Sequence, residues 1–150
     1  MKKVPRAGML LLLGAILTGC SDGVPAGAVE ATASLSETNA SAIHKLELGR
    51  PDNQHPGRYP AVAETTDPGK VQQFVAWMEA VPWENAEVSM SRPPDLKIVG
   101  TSTGVRETFA IWLSTNGRSY EVVVEGRSLY GKMSRRDSES LRKWIESSLS

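Results

Sequence analysis

The stretch ETFAIWLSTNGRSYEVVVE, Glu107 to Glu125, decides the fold. On each side of Asn116-Gly117 lies a run in which large apolar residues recur at every second position. Phe109, Ile111 and Leu113 share one face of the first run; Tyr120, Val122 and Val124 line the matching face of the second. Asn-Gly readily takes the positive φ angles of a type I′ hairpin turn. The two runs therefore read as one antiparallel hairpin with a single buried face.

Outward from the hairpin, LKIVG (96–100) and AEVSM (86–90) precede it as two further strands, and SLYGKM (128–133) comes after the turn at Gly126-Arg127. Upstream lies a helix. Thr66 or Asp67 can cap it and Pro68 suits its first turn. Val71, Phe74, Val75, Met78 and Val81 fall on one face, and Pro82 ends it. Downstream, Ser134 with Asp137 three residues on is a near capping box. It opens a last helix with Leu141, Trp144 and Ile145 as its buried stripe and Leu149 at its end. AIHKLELG (42–49) reads as a short first strand. The order is β-α-β-β-β-β-β-α. A run of antiparallel strands with two amphipathic helices predicts an α+β two-layer sandwich, the helices on one face of a mainly antiparallel sheet. Between the first strand and the first helix, RPDNQHPGRYPAVAETTDPG (50–69) reads as a long Pro- and Gly-rich loop. Such loops are functional or mobile.

The N-terminus has a different grammar. Lys2, Lys3 and Arg6 form a basic segment, and Ala7 to Leu17 is an uncharged apolar run too short for a spanning helix. That is the order of a secretory signal peptide. Leu17-Thr18-Gly19-Cys20 then resembles the lipobox of bacterial lipoproteins. The resemblance implies cleavage between Gly19 and Cys20 and transfer of a diacylglyceryl group to the thiol of Cys20. Two acyl chains, at about 0.8 kcal/mol per buried CH₂, make a stable anchor where one is marginal. Asp22 stands one residue beyond the position of the usual inner-membrane retention signal. Anchoring is thus expected at the outer face of the cell membrane, or at an outer membrane where the envelope has two.

The first 19 residues hold three basic and no acidic side chains, so the 131 residues after them carry 14 Lys and Arg against 17 Asp and Glu, a formal charge of −3. No polybasic patch marks a nucleic-acid binder. Cys20 is the only cysteine, so the domain has no disulfide and rests on its core. Residues 20–41 are rich in Ala, Ser, Thr and Gly and poor in large apolar residues, which predicts a disordered tether. The domain organisation is therefore a signal peptide (1–19), a lipidated cysteine and tether (20–41), and one α+β domain (42–150).

Catalytic signals are thin. Gly100-Thr101-Ser102-Thr103-Gly104 matches the letters of a nucleophile elbow. That motif needs a helix after the serine and a histidine downstream. Here another strand comes next, and His44 and His55 lie upstream. His44, His55 and Asp52 are the potential metal ligands, but their spacing matches no metal motif. Of the four tryptophans, Trp112 and Trp144 read as core, and Trp83, beside Pro82, as the most exposed. Pro93-Pro94-Asp95 reads as a rigid connector, with Asp95 closing a turn. Arg135, Arg136, Arg142 and Lys143 put positive charge on the last helix, diluted by Asp137, Glu139 and Glu146. This reads as a solvated face rather than a lipid-binding one.

MSRPPDLKI, FAIWLS and MSRRDSESLRKWI together resemble segments of small uncharacterised lipoproteins of spore-forming Gram-positive bacteria. In that pattern a strand–helix start leads to a Pro-Asp turn, an aromatic-containing strand and a last helix opened by a serine. Phe109 stands at the aromatic position here, and Leu96 follows Asp95 where an aromatic is commoner. The resemblance implies no activity. The expectation is a membrane-anchored, extracytoplasmic, non-enzymatic binding or interaction module. It has no catalytic, cofactor or metal residues, and its partner is an envelope protein or a small ligand. The alternative is a small envelope hydrolase or metal-dependent enzyme using the Pro-rich loop and His55, which His55→Ala and Ser102→Ala variants would test.

Overall fold

The computed structural model describes residues 42–150. The expected signal peptide, its cleavage site at Gly19-Cys20, the lipidated Cys20 and the tether lie outside the described residues. The elements run β1 (Lys45–Gly49), β2 (Ala61–Thr65), α1 (Pro68–Ala80), β3 (Trp83–Asn85), β4 (Leu96–Ser102), β5 (Val105–Leu113), β6 (Tyr120–Val124), β7 (Leu129–Lys132) and α2 (Arg135–Ser148). The strands form one antiparallel sheet in the order β2-β1-β4-β5-β6-β7-β3. Both helices pack on one face of it, which makes the expected two-layer α+β sandwich.

The β5–β6 hairpin pairs Phe109 with Val124, Ile111 with Val122 and Leu113 with Tyr120, as the alternation requires. Its turn is wider than a two-residue type I′ turn. The Gly117 N–H donates to the Ser114 carbonyl at 2.8 Å, which puts Thr115 and Asn116 at the turn centre and leaves Gly117 to take the positive φ of 68°. Side chains favour the wider loop, because Asn116 Oδ1 accepts from Ser114 Oγ at 2.6 Å and from the Arg118 N–H at 2.9 Å.

Asp67 caps α1 by accepting from the Lys70 N–H, with Pro68 at the first turn, and α1 buries Val71, Phe74, Trp77 and Met78. Ser134 caps α2 and its hydroxyl donates to the Asp137 carboxylate at 2.6 Å. Leu141, Trp144 and Ile145 are buried as expected, but Leu149 lies past the helix end and is exposed. Between helices and sheet, the Phe74 ring meets Phe109 edge-on at 5.2 Å and stacks near Trp144 at 6.2 Å; Trp77 completes the cluster. Fully burying one such side chain contributes roughly 1.5–3 kcal/mol.

Three local expectations are corrected. β2 lies inside the stretch read as loop: Ala61–Thr65 pairs with β1 as an edge strand, and its Ala-rich, mostly exposed residues give no apolar alternation to read. AEVSM is not a strand. Only Trp83–Asn85 pairs with β7, the Ala86 N–H makes one further bond to the Ser128 carbonyl, and the chain then leaves the sheet before Pro93-Pro94. Trp83 is buried, not exposed. Its indole N–H donates to the Met78 carbonyl at 2.8 Å, which joins the end of α1 to the sheet edge.

Candidate functional site

The strand register sorts every second residue onto the sheet face that carries no helix. Glu47, Val99 and Thr108 make one row across β1, β4 and β5, and the backbone bond from the Glu125 N–H to the Thr108 carbonyl adds Glu125 at its end. Gly49, Lys97, Ala110, Val123 and Tyr130 make the next row. Long side chains bridge over small ones here. Arg106 reaches Glu47 at 2.6 Å, passing over β4, and Lys97 reaches Glu125 at 2.6 Å, passing over β5. Lys45 adds contacts to Glu64 at 2.8 Å and Glu47 at 3.5 Å. The hydrogen bond to Glu64 leads the causes that raise the Lys45 pKa.

Two loops overhang this face. The 50–60 loop brings Tyr59 over Lys97, whose ammonium lies 4.7 Å from the ring centroid. Gly49 makes this approach possible, since a Cβ there would sit 2.7 Å from the Tyr59 carbonyl oxygen. Burial pushes the Tyr59 phenol pKa up, and its hydroxyl donates to the Pro94 carbonyl at 2.9 Å. The second loop, 86–95, is clasped onto β5. Arg92 grips Asp95 through both carboxylate oxygens at 2.7 and 2.9 Å and donates to the Leu113 carbonyl at 2.6 Å. Asp95 also accepts from the Leu113 N–H at 2.6 Å. Burial raises the Asp95 pKa, but these hydrogen bonds outweigh it and hold the carboxyl below its ordinary value. The Trp112 indole donates to the Arg92 carbonyl at 2.9 Å. Trp112 is thus buried, as expected, but beneath this loop on the helix-free face rather than in the main core.

Beside the 50–60 loop an open groove of about 280 Å³ lies on the sheet, floored by small residues such as Val99 and Thr108 and bordered by Tyr59, Glu47, Lys97, Arg106 and Glu125. A second groove, of about 260 Å³, lies beside Met90, Trp112 and Glu121.

The residues singled out from sequence motifs go elsewhere. Ser102 ends β4 and is buried, and its hydroxyl donates to the Val105 carbonyl at 3.4 Å across the Thr103-Gly104 turn. The next element is the strand β5, so the strand–turn–helix of a nucleophile elbow is not formed. His55 meets Asp52 at 2.9 Å in the exposed 50–60 loop. The hydrogen bond from the Gln54 backbone N–H first, then the one to the His55 side chain, lower the Asp52 pKa. His44 is exposed at the start of β1, where its N–H donates to the Thr101 carbonyl at 2.9 Å. Among the described residues no group of three His, Cys, Asp or Glu could hold a metal ion, and no helix is long and apolar enough to cross a membrane. Glu47, Tyr59, Lys97, Arg106 and Glu125 carry no motif. Glu47, Lys97 and Arg106 belong to the polar half of the alternation in β1, β4 and β5, while Glu125 follows the end of β6 and Tyr59 lies in the 50–60 loop.

No family model, curated protein or solved structure matches the chain.

Proposed function

We propose that this chain is a lipid-anchored extracytoplasmic lipoprotein. Its α+β domain is a non-enzymatic binding module that receives its partner on the helix-free face of the sheet. The observation that carries the binding reading is the groove across that face: a sheet surface left uncovered by both helices, floored by small side chains and walled on one side by Tyr59, whose hydroxyl is anchored to the Pro94 carbonyl. Concave sites with a few convergent polar groups are where small ligands and peptides bind. Support for the anchor comes from the order basic segment, apolar run, Leu17-Thr18-Gly19-Cys20. No observation favours the hydrolase, since Ser102 turns its hydroxyl to a backbone carbonyl inside a hairpin.

Two measurements test the proposal. Mass spectrometry of the mature N-terminus should find an acylated Cys20, and Cys20→Ala should abolish membrane association. An unmodified N-terminus at another residue defeats the anchor. A photo-crosslinking residue at Thr108, on the groove floor, should capture a partner from envelope extracts that the same residue at Glu79, exposed on α1, does not. Equal capture at both positions defeats the binding face.

A further inference from the structure

Four charges surround the Val99–Thr108 floor with alternating sign. Val99 and Thr108 are paired neighbours on β4 and β5. Glu47 and Glu125 flank them across the sheet, one strand out on either side. Lys97 lies two residues from Val99 along β4, and Arg106 two residues from Thr108 along β5, in opposite directions along the sheet. Going round the floor, the charges read Glu47, Arg106, Glu125, Lys97. The two ion pairs cross the groove from opposite sides, each spanning two strands, Arg106 to Glu47 and Lys97 to Glu125.

Resting on the reading of this face as a binding surface, we propose that the groove takes a dipeptide with both termini free, its ammonium on Glu125 and its carboxylate on Arg106. Three features carry the assignment. First, the ring has no net charge and offers both signs, so it is complementary to a zwitterion and not to a simple anion or cation. Second, unlike neighbours one strand apart, Glu47 with Lys97 and Glu125 with Arg106, are separated by roughly 8 Å between Cα positions on sheet spacings. An extended dipeptide spans about 7 Å, so each terminus reaches its partner. Third, exposed ion pairs contribute little stability, so the two existing pairs exchange partners at small cost. The side chains of Arg106 and Glu125 are 65% and 41% exposed, so they are the members of the two pairs that a ligand reaches from solvent, while those of Glu47 and Lys97 are 21% and 22% exposed. The small floor leaves room for a peptide backbone and short side chains, and Tyr59 closes one side.

Isothermal titration calorimetry of the full chain in detergent, with alanylalanine as the probe, tests this. Alanylalanine should bind one-to-one. N-acetyl-alanylalanine and alanylalanine amide, each lacking one terminal charge, should bind at least tenfold more weakly, as should free alanine, which is too short to span the pair. Arg106→Gln and Glu125→Gln should each weaken alanylalanine binding at least tenfold with unchanged melting temperature, while Glu79→Gln on α1 leaves it intact. No binding of alanylalanine at millimolar concentration, or equal binding of the blocked forms, overturns the proposal. If the Thr108 crosslinker captures a partner while alanylalanine does not bind, the dipeptide assignment falls and the binding face stands. If neither occurs, both fall.

Discussion

The two faces of the sheet are built by the same strands, often by adjacent residues. Under the helices stand Leu46, Leu48, Ile98, Phe109, Ile111, Val122 and Val124, none more than 2% exposed. One residue away on each strand stand Glu47, Lys97, Thr108, Ala110 and Val123, facing the overhanging loops. The covered face is closed by direct apolar packing, so it carries the stability. The open face is covered in part by charged side chains and by two loops held through hydrogen bonds, and it keeps a groove open to solvent between them and the sheet edge. If this division is right, substitutions should separate by face rather than by exposure or chemistry.

The largest separation is expected between Phe74→Ala and Thr108→Ala. Phe74 is fully buried and contacts Phe109 and Trp144, so its truncation should cost about 3–5 kcal/mol. Thr108→Ala on the groove floor should change stability by under about 0.5 kcal/mol. Urea denaturation of both variants checks this. Comparable losses would mean the open face is a second core.

A polar group on the covered face should also outrank those on the open one. Ser138 is fully buried in α2, and its hydroxyl accepts from the Tyr120 N–H at 2.9 Å. Ser138→Ala leaves that N–H unpartnered away from water and should cost about 1–3 kcal/mol. Ser138→Thr, which keeps the acceptor but adds a methyl group, separates hydrogen bonding from packing. A neutral Ser138→Ala in the same denaturation experiment would show that water reaches the α2–β6 seam.

Legibility follows the same division. The covered face was readable because burial imposes a period on apolar residues: two in β5 and β6, three to four in α1 and α2. Turn chemistry at Asn116-Gly117 and the caps at Asp67 and Ser134 fixed where each element begins. β2 was hidden because an edge strand need bury only part of one side, and Ala61 to Thr65 carry little to bury. Trp83 was misread because nothing local shows that its indole would find the Met78 carbonyl. The groove was illegible for a deeper reason. Its charges come from β1, β4, β5 and the end of β6, and only the strand order places Glu47 and Glu125 around one floor. GTSTG, by contrast, was a local match to a motif whose required helix is absent from the fold.

The clasp of the 86–95 loop gives the comparison a pH dependence. The folded Asp95 carboxyl titrates below its unfolded value near 3.9. Its contribution is therefore fully present above pH ~3.9 and is lost as pH falls through the depressed folded value. Acid titration of stability should show a decline below pH ~3.9 that is shallower in Asp95→Asn. The Trp112 environment should change with it, because the loop covering that ring is released. An identical acid profile in the variant would mean that Asp95 does not hold the loop.

The smallest effect is expected at the groove itself. The Arg106 side chain is 65% exposed, and its pair with Glu47 spans two strands in contact with water. Surface pairs of this kind contribute about 0–1 kcal/mol and weaken with salt. Arg106→Gln should therefore lower the unfolding free energy by under about 0.5 kcal/mol, and the small difference should shrink further in high salt. A loss well above that, insensitive to salt, would make the pair a structural strut and would close the open face to a ligand, because a strut cannot exchange partners. A negligible loss instead means that the charge ring is held in place by the sheet and not by its own ion pairs. That independence is the physical condition for Arg106 to leave Glu47 and take a carboxylate from outside.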